Sequence, residues 1–310
     1  MMAEPNNDIL TMKGIYKAFP GVQALEDVDF ALKKGEIHAL VGENGAGKSE
    51  NGAGKSTLIK ALTGVERHDA GIITFDGQEV HVRSPQHAQL LGISTVYQEL
   101  NLCPNLTVAE NILIGREPRK FGRIDWAGMN AQARQILQGL EVDIDVTQTL
   151  GSYSVAIQQM AAIARALEIS SARILILDEP TSSLDARETE QLFSVMRKLK
   201  NEGMATIFIT HFLNQVYEVA DRITVLRNGK LVGTFDTATL PRMELIAKMI
   251  GRNLTEFDDM TKIKLESSKH IKGEALLEAK RLGLTGSIEP FDLELHGGEV
   301  VGLAGLLGSG

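Results

Sequence analysis

A glycine-rich stretch that ends in lysine and serine is the part of this chain best suited to chemistry. Residues 42–49 read GENGAGKS and fit the phosphate-binding pattern G-x-x-x-x-G-K-[ST]. In such a loop, glycines let backbone N–H groups surround the phosphates, the lysine reaches the β- and γ-phosphates, and the serine hydroxyl ligates Mg²⁺. The pattern therefore predicts a site for a nucleoside triphosphate and Mg²⁺.

The seven residues ENGAGKS occur twice in succession, at 43–49 (the first copy) and at 50–56 (the second copy). The second copy lacks only the leading glycine of the pattern, because Ser49 stands at that position. Both copies therefore supply candidate phosphate-binding residues, and Ser49 and Ser56 are candidate metal ligands. The candidates are Gly42, Glu43, Asn44, Gly45, Ala46, Gly47, Lys48 and Ser49 around the first copy, and Asn51, Gly52, Ala53, Gly54, Lys55, Ser56 and Thr57 around the second.

This duplication leaves four interpretations open. Either Lys48 of the first copy binds phosphate and the helix restarts after it, or Lys55 of the second copy binds at the helix N-terminus. In the third interpretation both copies are misplaced and binding is lost, and in the fourth the repeat arose in the recorded sequence. A helix can absorb the insertion, because seven residues lie within about 20° of two full turns. Alternatively, one copy loops out. Helix continuity favours Lys55.

The stretches around this loop predict alternating strands and helices. A short apolar strand at 36–41 precedes the loop and a helix starting at 57–62 follows it, which is the arrangement that a phosphate-binding loop needs. Residues 10–40 predict a β-rich opening layer, and residues 100–170 a mainly helical segment. Further strands are predicted at 71–75, 93–97, 174–177, 206–210 and 222–226, and helices at 130–140, 156–167, 187–199 and 214–220. The alternation predicts an α/β fold with a mostly parallel sheet flanked by helices.

Composition and charge exclude several other classes of protein. The 310 residues carry a net charge of −8 with no block of lysine or arginine, which argues against a nucleic-acid partner. The one cysteine, Cys103, rules out an internal disulfide framework and is typical of a reducing compartment. The N-terminus has no signal-peptide pattern, and no apolar run approaches about 18 residues. We therefore expect a cytoplasmic chain, unless a partner holds it elsewhere.

The C-terminal segment repeats the order of the opening segment. Residues 285–310 parallel residues 22–47, since each has an apolar strand, a turn ending in Gly-Glu, a second strand and a glycine loop. Residues 253–272 are polar and charged and predict a linker. The expected organisation is one nucleotide-binding domain at 1–252, the linker, and the truncated start of a second such domain at 273–310.

Taken in order, these motifs resemble those of the ATP-binding-cassette (ABC) ATPases, and more narrowly the tandem-domain ATPases of bacterial sugar importers for ribose, galactose and arabinose. The resemblance covers residues 10–252 and the fragment after 274. Within the group, the segments DRITVLRNG and TLPRMELIAKMIG are most similar to the galactofuranose type. The resemblance implies a P-loop NTPase cassette with an antiparallel β layer and a helical subdomain at about 100–165.

The resemblance also implies roles for several residues. Gln98, in Tyr-Gln-Glu, would sense Mg²⁺ and the attacking water and pass motion to membrane subunits. Asp178, after the apolar run ILIL, would hold Mg²⁺ through its water shell, and Glu179 would act as general base. His211 would contact the γ-phosphate, and Phe19 would stack on adenine, although it could instead be a core aromatic. Residues 182–185 would contact a second cassette.

The signature segment departs from the usual form of the family. LSGGQ corresponds here to residues 153–157, YSVAI, and sugar-importer versions commonly read LSVAQ. Ser154 and the following helix N-terminus are kept, so a γ-phosphate can still be met by N–H groups and a hydroxyl. Tyr153 and Ile157 replace the usual Leu and Gln.

The expected function is ATP hydrolysis that powers sugar import, with ATP bound between paired cassettes. The expected partners are membrane permease subunits, a periplasmic sugar-binding protein reached through them, and a second cassette or a second copy. The chain would lie on the cytoplasmic face of the bacterial inner membrane. Two alternatives remain: a soluble two-cassette ATPase that acts on ribosomes or DNA, and a nucleotide-binding module inactivated by the duplication. Nothing in this subunit identifies the sugar.

Overall fold

The computed structural model describes residues 7–42, 54–99, 101–168, 172–251, 275–284, 288–298 and 300–302. Ten candidate phosphate-binding residues lie outside this set. They are Glu43, Asn44, Gly45, Ala46, Gly47, Lys48, Ser49, Asn51, Gly52 and Ala53. The chain divides into two compact units, residues 1–251 and 252–310.

The first unit contains twelve described strands and eight described α-helices. The strands are β1 (Asp8–Phe19), β2 (Val22–Lys33), β3 (Ile37–Val41), β4 (Ala70–Phe75), β5 (Gln78–Glu79), β6 (Ile93–Val96), β7 (Arg119–Lys120), β8 (Arg123–Ile124), β9 (Ile174–Asp178), β10 (Ala205–Ile209), β11 (Arg222–Arg227) and β12 (Lys230–Asp236). The helices are α1 (Lys55–Leu62), α2 (Pro85–Leu91), α3 (Val108–Leu113), α4 (Trp126–Gly139), α5 (Val155–Glu168), α6 (Ala186–Asn201), α7 (Leu213–Val219) and α8 (Arg242–Ile250).

A six-stranded sheet forms the centre of the first unit. Its strand order is β12-β11-β3-β10-β9-β6, in which all neighbours are parallel except the edge pair β11–β12. Strands β3 and β10 are buried at every residue, as expected of parallel strands covered on both faces. The predicted α/β class and mostly parallel sheet are confirmed.

The two faces of this sheet pack against different layers. In β9, Leu175 and Leu177 face a core formed with α3, α4, α5 and α6, whereas Ile174 and Ile176 face a second core. That second core contains α1 and a four-stranded antiparallel sheet of order β2-β1-β4-β5. Alternation of side chains along a strand produces this division. The predicted β-rich opening layer is confirmed.

Three expectations about local structure need correction. The segment predicted to be mainly helical contains the β7–β8 hairpin, because Phe121 and Gly122 form a turn after Pro118. A helix that runs unbroken through the insertion into α1 is excluded, since α1 begins at Lys55 and Gly54 before it has a left-handed φ of 96°. In the second unit, β13 (Ala275–Leu284) pairs with β14 (Ile288–His296), but 300–302 form no strand. Val300 is 96% exposed, so no described residue covers its side chain.

Within the part of the chain that the structure describes, no helix is both long and apolar enough to cross a lipid bilayer.

Candidate functional site

Most of the candidate catalytic side chains follow the carboxyl ends of neighbouring parallel strands. The strand pairing places Ile209 of β10 beside Leu40 of β3 and beside Asp178 of β9. Val96 of β6 pairs with Leu177. The strand ends therefore lie along one edge of the sheet, which is where open α/β sheets bind ligands.

The helix that follows the loop begins with the lysine of the second copy. Lys55 is the first residue of α1 and is buried, and its Nζ donates a hydrogen bond of 2.7 Å to the carbonyl oxygen of Gly42. The glycine at the end of β3 and the lysine of the second copy are therefore in direct contact, although twelve residues separate them in sequence.

Gly54 holds the start of this helix close to the β layer. Its φ of 96° is in the left-handed region, and a Cβ at this position would lie 3.0 Å from the carbonyl oxygen of Ala24 and from Leu25 Cδ2. A side chain would therefore be strained by both backbone conformation and contact. Among the described residues of the second copy, Gly54 is therefore the one that most clearly must be glycine.

Burial makes the charges at this edge unfavourable. Burial, with the neighbouring charge of Glu179, raises the pKa of Asp178, and Lys55 opposes this shift. Burial also lowers the pKa of Lys55, while Glu179 and Asp178 act in the opposite direction. Shifts of this kind are typical of functional sites, because charged groups are kept buried there without full compensation.

Glu179 and His211 meet across two strand ends. His211 Nδ1 lies 3.3 Å from Glu179 Oε1, and the Glu179 N–H donates to the carbonyl of Ile209 at 2.9 Å. Glu179 has a φ of 48°, which is uncommon for a residue with a side chain. An acid and an imidazole in contact at the end of a sheet can hold and move a proton.

Two threonines and a glutamine join the turns that carry these residues. Gln215 Oε1 accepts hydrogen bonds from Thr181 Oγ1 at 2.6 Å and from Thr210 Oγ1 at 3.4 Å. Thr210 Oγ1 in turn accepts from the Phe212 N–H at 3.1 Å. Sequence reasoning did not single out Thr181 or Gln215, and a threonine after a turn or a glutamine on a short helix is too common a pattern to identify them.

The remaining predicted residues lie at element ends. Gln98 is exposed two residues beyond β6, and Phe19 ends β1 half-buried, outside the hydrophobic cores, with Lys17 Nζ 5.1 Å from its ring centroid. Ser154 is exposed immediately before α5, where the Ile157 N–H approaches its Oγ at 3.5 Å. No described contact joins Ser154 to Lys55 or to the acids.

Several side chains at this edge are suited to a divalent cation. Asp178 and Glu179 are adjacent carboxylates, the charge of Glu179 helps to raise the pKa of Asp178, and a bound cation favours the ionised form of Asp178. Ser56 is exposed one residue after Lys55, and the buried Thr57 Oγ1 has no hydrogen-bond partner among the described residues. These residues fit Mg²⁺, which commonly takes one or two carboxylates, waters and phosphate oxygens. Elsewhere, the described residues contain no cluster of three or more His, Cys, Asp or Glu that could hold a metal.

A comparison with protein families decides the identity of this fold. The family described as "ABC transporter" matches residues 25–50 and 50–182, which together are about half of the chain. The chain belongs to the ABC transporter family of ATP-binding proteins. The two matched segments meet at Glu50, which is the first residue of the second copy. This ABC cassette therefore follows the family pattern on both sides of the duplication.

Curated relatives of this cassette are named as sugar-transport proteins. It is 49% identical over 310 residues to the galactofuranose transporter ATP-binding protein YtfR of Escherichia coli (strain K12), covering 100% of this chain and 60% of that protein. It is 48% identical to the fructose import ATP-binding protein FruK of Bifidobacterium longum (strain NCC 2705), covering 98% of this chain and 58% of that protein. The chain thus spans about 60% of the length of the curated relatives it matches.

Solved structures agree on the fold. The ADP conformation of MJ1267, an ATP-binding cassette of an ABC transporter, matches with a TM-score of 0.67 and 25% identity, covering 80% of this chain and 97% of that one. A nucleotide-free ATP-binding cassette from an ABC transporter matches with a TM-score of 0.65 and 25% identity, covering 74% and 91%.

Proposed function

We propose that this chain is the ATP-hydrolysing subunit of a bacterial sugar importer. The observation that carries the proposal is the convergence of Lys55, Asp178, Glu179 and His211 at one edge of the sheet. The names of the curated relatives, which transport or import galactofuranose and fructose, support a sugar as the transported molecule.

In this proposal the second copy supplies the phosphate-binding lysine. Lys55 binds the β- and γ-phosphates, and the N–H groups at the start of α1 face the same anion. The 2.7 Å bond from Lys55 to Gly42 supports this assignment, because it joins the lysine to the strand end where the phosphate-binding pattern begins. Phe19 stacks on adenine, and its half-buried ring leaves a face for that contact.

The acids at the end of β9 divide the chemistry between them. Asp178 and the Ser56 hydroxyl hold Mg²⁺, with Gln98 at the neighbouring strand end as a further ligand. When bound, Mg²⁺ neutralises charge on the phosphate oxygens. Glu179 takes the proton of the attacking water, and His211, 3.3 Å away, orients that carboxylate and contacts the γ-phosphate.

A complete site needs a second cassette. Ser154 is exposed at the N-terminus of α5, and in this proposal both serve the nucleotide held by a partner cassette. Residues 182–185 contact that partner, and Asp185 is already fixed as the cap of α6 by its bond from the Glu188 N–H at 2.8 Å. Pairing of two chains would therefore limit the rate of hydrolysis.

The domain organisation and the partners follow from the same proposal. Residues 1–252 form the cassette, 253–272 a linker, and 273–310 the start of a second cassette. Permease subunits bind beside Gln98, where Ser94, Tyr97 and Arg165 line a cavity of about 190 Å³. Through them the subunit works with a periplasmic sugar-binding protein on the cytoplasmic face of the inner membrane.

Replacement of the general base tests the proposed reaction. Glu179→Gln keeps the shape of the side chain but cannot accept the proton, so we expect Mg²⁺-dependent phosphate release to fall by about 10²- to 10⁴-fold. Binding of ATP, measured by titration calorimetry, should be kept. The rate per chain of the unmutated protein should rise with protein concentration, because two chains share each site.

Glu190→Gln is the matched control, because Glu190 pairs with Arg197 on the exposed side of α6. This variant should hydrolyse ATP at the unmutated rate. Equal rates for Glu179→Gln and the unmutated chain would refute the assignment of Glu179. Tight ATP binding with no hydrolysis at any protein concentration would instead favour the nucleotide-binding module.

A further inference from the structure

The hairpin formed by β7 and β8 presents an aromatic side chain entirely to solvent. Arg119 pairs with Ile124 and Lys120 with Arg123, so only Phe121 and Gly122 form the turn. Phe121 is 101% exposed, the highest value among the exposed large hydrophobic residues that the structure describes. The tip of this hairpin is therefore a protruding apolar group with no cover of its own.

The backbone of this turn makes phenylalanine an unfavourable choice. Phe121 has a φ of 52° and Gly122 a φ of 78°, so both central residues lie in the left-handed region. A two-residue turn of this type favours asparagine, aspartate or glycine, and a bulky side chain there is a conformational outlier. The residue weakens the turn and hides no apolar surface within the fold. Such an outlier points to a function outside the fold.

The apolar tip is surrounded by positive charge. Residues 116–126 contain four basic side chains, at Arg116, Arg119, Lys120 and Arg123, and two acidic ones, so their net charge is +2. The whole chain carries −8. The strand residues Arg119, Lys120 and Arg123 are all exposed. Asp125 Oδ2 lies 3.9 Å from Lys120 Nζ and offsets part of this charge.

Trp126 lies two residues beyond the end of the hairpin, at the start of α4, and is 53% exposed. Tryptophan and phenylalanine beside lysine and arginine are the combination that binds at the boundary between lipid headgroups and acyl chains. An aromatic ring flanked by basic side chains matches the two layers of a bilayer surface, apolar acyl chains below anionic headgroups. A fluid lipid boundary needs no shape complementarity, and its anionic headgroups attract the basic side chains.

We propose that the β7–β8 hairpin binds directly to an anionic lipid bilayer, with Phe121 inserted at the headgroup boundary and Arg119, Lys120 and Arg123 on the phosphates. This adds a lipid contact to a subunit that the proposed function otherwise holds at the membrane through its permease alone. In this proposal, the surface of the helical subdomain that carries the β7–β8 hairpin faces the bilayer.

The chain contains its own probe for this proposal, because Trp126 is its one tryptophan. The full chain is titrated with vesicles of phosphatidylcholine, with or without phosphatidylglycerol, while tryptophan emission and quenching by brominated lipid are recorded. We expect a blue shift and quenching with the anionic vesicles, weak binding to neutral ones, and loss of binding as salt is raised.

Phe121→Asn is the decisive variant. Asparagine suits the left-handed backbone, so the fold should be as stable or slightly more stable, yet the partition coefficient should fall about tenfold. A role in folding alone would change stability in the other direction. Leu90→Asn, at an 82% exposed position on α2, is the matched control and should bind like the unmutated chain.

The charge contribution is tested in the same assay. Lys120→Gln should weaken binding to anionic vesicles about fivefold, whereas Lys13→Gln, on an exposed position of β1, should not. Absence of vesicle binding, equal binding to neutral vesicles, or unchanged binding of Phe121→Asn would overturn the proposal. Binding only to vesicles that contain permease would also overturn it, in favour of a protein partner. ATP hydrolysis is measured separately, so either proposal can fail without the other.

Discussion

Two groups of buried charges lie at opposite ends of strand β3 and differ in how well they are compensated. At the amino end, Glu36 and His38 belong to a hydrogen-bonded network. At the carboxyl end, Lys55 lies against Gly42 and close to the charges of Asp178 and Glu179. Both groups are built on the same sheet, so the difference between them reflects what each end does.

The amino-end network compensates the charge of its carboxylate. His38 Nδ1 lies 3.0 Å from Glu36 Oε1, and Arg222 Nη1 lies 3.3 Å from the same oxygen. The Lys33 N–H donates to Glu36 Oε2 at 2.7 Å, and His38 Nε2 is 2.7 Å from Thr224 Oγ1. Burial opposes the charge on Glu36, but these partners outweigh it and lower the pKa of the carboxyl below its usual value.

At the carboxyl end, the pKa of the buried carboxyl group shifts in the opposite direction to that of Glu36. The pKa of Asp178 is raised and that of Lys55 is lowered, in both cases chiefly by burial. A structural network minimises the cost of its charges, whereas a site that must bind phosphate and metal keeps charges that its ligand will compensate. The comparison thus separates a scaffold from a binding site within one strand.

The largest effect is expected at the scaffold end. Glu36→Gln leaves the half-buried Arg222 without its carboxylate, so the free energy of unfolding should fall by about 3 kcal/mol. Urea unfolding of the unmutated chain and the variant measures this difference. Glu26→Gln, which removes an exposed ion pair with Lys230, is the control and should change stability by less than about 1 kcal/mol. Equal effects of the two substitutions on stability would show that the buried network contributes no more than a surface ion pair.

Removing a charge from the carboxyl-end group should change the free energy of unfolding in the opposite direction. A carboxyl whose folded-state pKa is raised contributes stability that is present below its unfolded pKa and is lost as pH rises through the folded value. At neutral pH the charge of Asp178 therefore costs stability. Asp178→Asn should raise the free energy of unfolding of the protein without ligand by about 1 kcal/mol, or the Tm by a few degrees. The same variant should lose ATP hydrolysis.

Differential scanning calorimetry at neutral pH compares the two ends in one experiment. A fall in Tm for Asp178→Asn as large as that for Glu36→Gln would mean that both groups are structural, and the distinction between scaffold and site would be lost.

A smaller effect concerns the imidazole of the network. Burial lowers the pKa of His38 against the opposing pull of Glu36, so its contribution to stability is present above the unfolded pKa of about 6.5 and is lost as pH falls. Below that pH the unmutated chain should lose up to about 1 kcal/mol per pH unit more than His38→Gln. Thermal melts between neutral pH and pH 5 test this, with His81→Gln as a surface control. Parallel curves for His38→Gln and the unmutated chain would contradict it.

Much of the fold could be predicted because its signals are local. The apolar run at 174–177 could only be a buried strand, and the structure extends it by one residue to Asp178. The hairpin at Phe121 was missed, because its two-residue strands are too short to carry a periodic pattern and phenylalanine is a poor turn residue. Residues 300–302, where part of the second strand of the C-terminal segment was expected, form no strand, because a local apolar pattern does not by itself provide the neighbouring strands that a parallel strand needs.

In the candidate site, too, the local features could be predicted from the sequence and the contacts between distant residues could not. The order of motifs predicted which residues would follow strand ends, but not which distant groups would tie them together. Gln215, which accepts from both Thr181 and Thr210, depends on the packing of two turns that are about thirty residues apart. The sequence also could not decide whether Lys48 or Lys55 binds phosphate, since each copy of ENGAGKS satisfies nearly the same pattern.

The central claim is that the site at the carboxyl end of β3 uses the lysine of the second copy. Affinity for Mg·ATP should be measured by titration calorimetry for the unmutated chain, Lys48→Ala and Lys55→Ala. We expect Lys55→Ala to weaken binding by at least about tenfold, because a charge-assisted contact to phosphate contributes about 1.5–3 kcal/mol. Lys48→Ala should bind like the unmutated chain. Loss of affinity in Lys48→Ala with full affinity in Lys55→Ala would contradict the account.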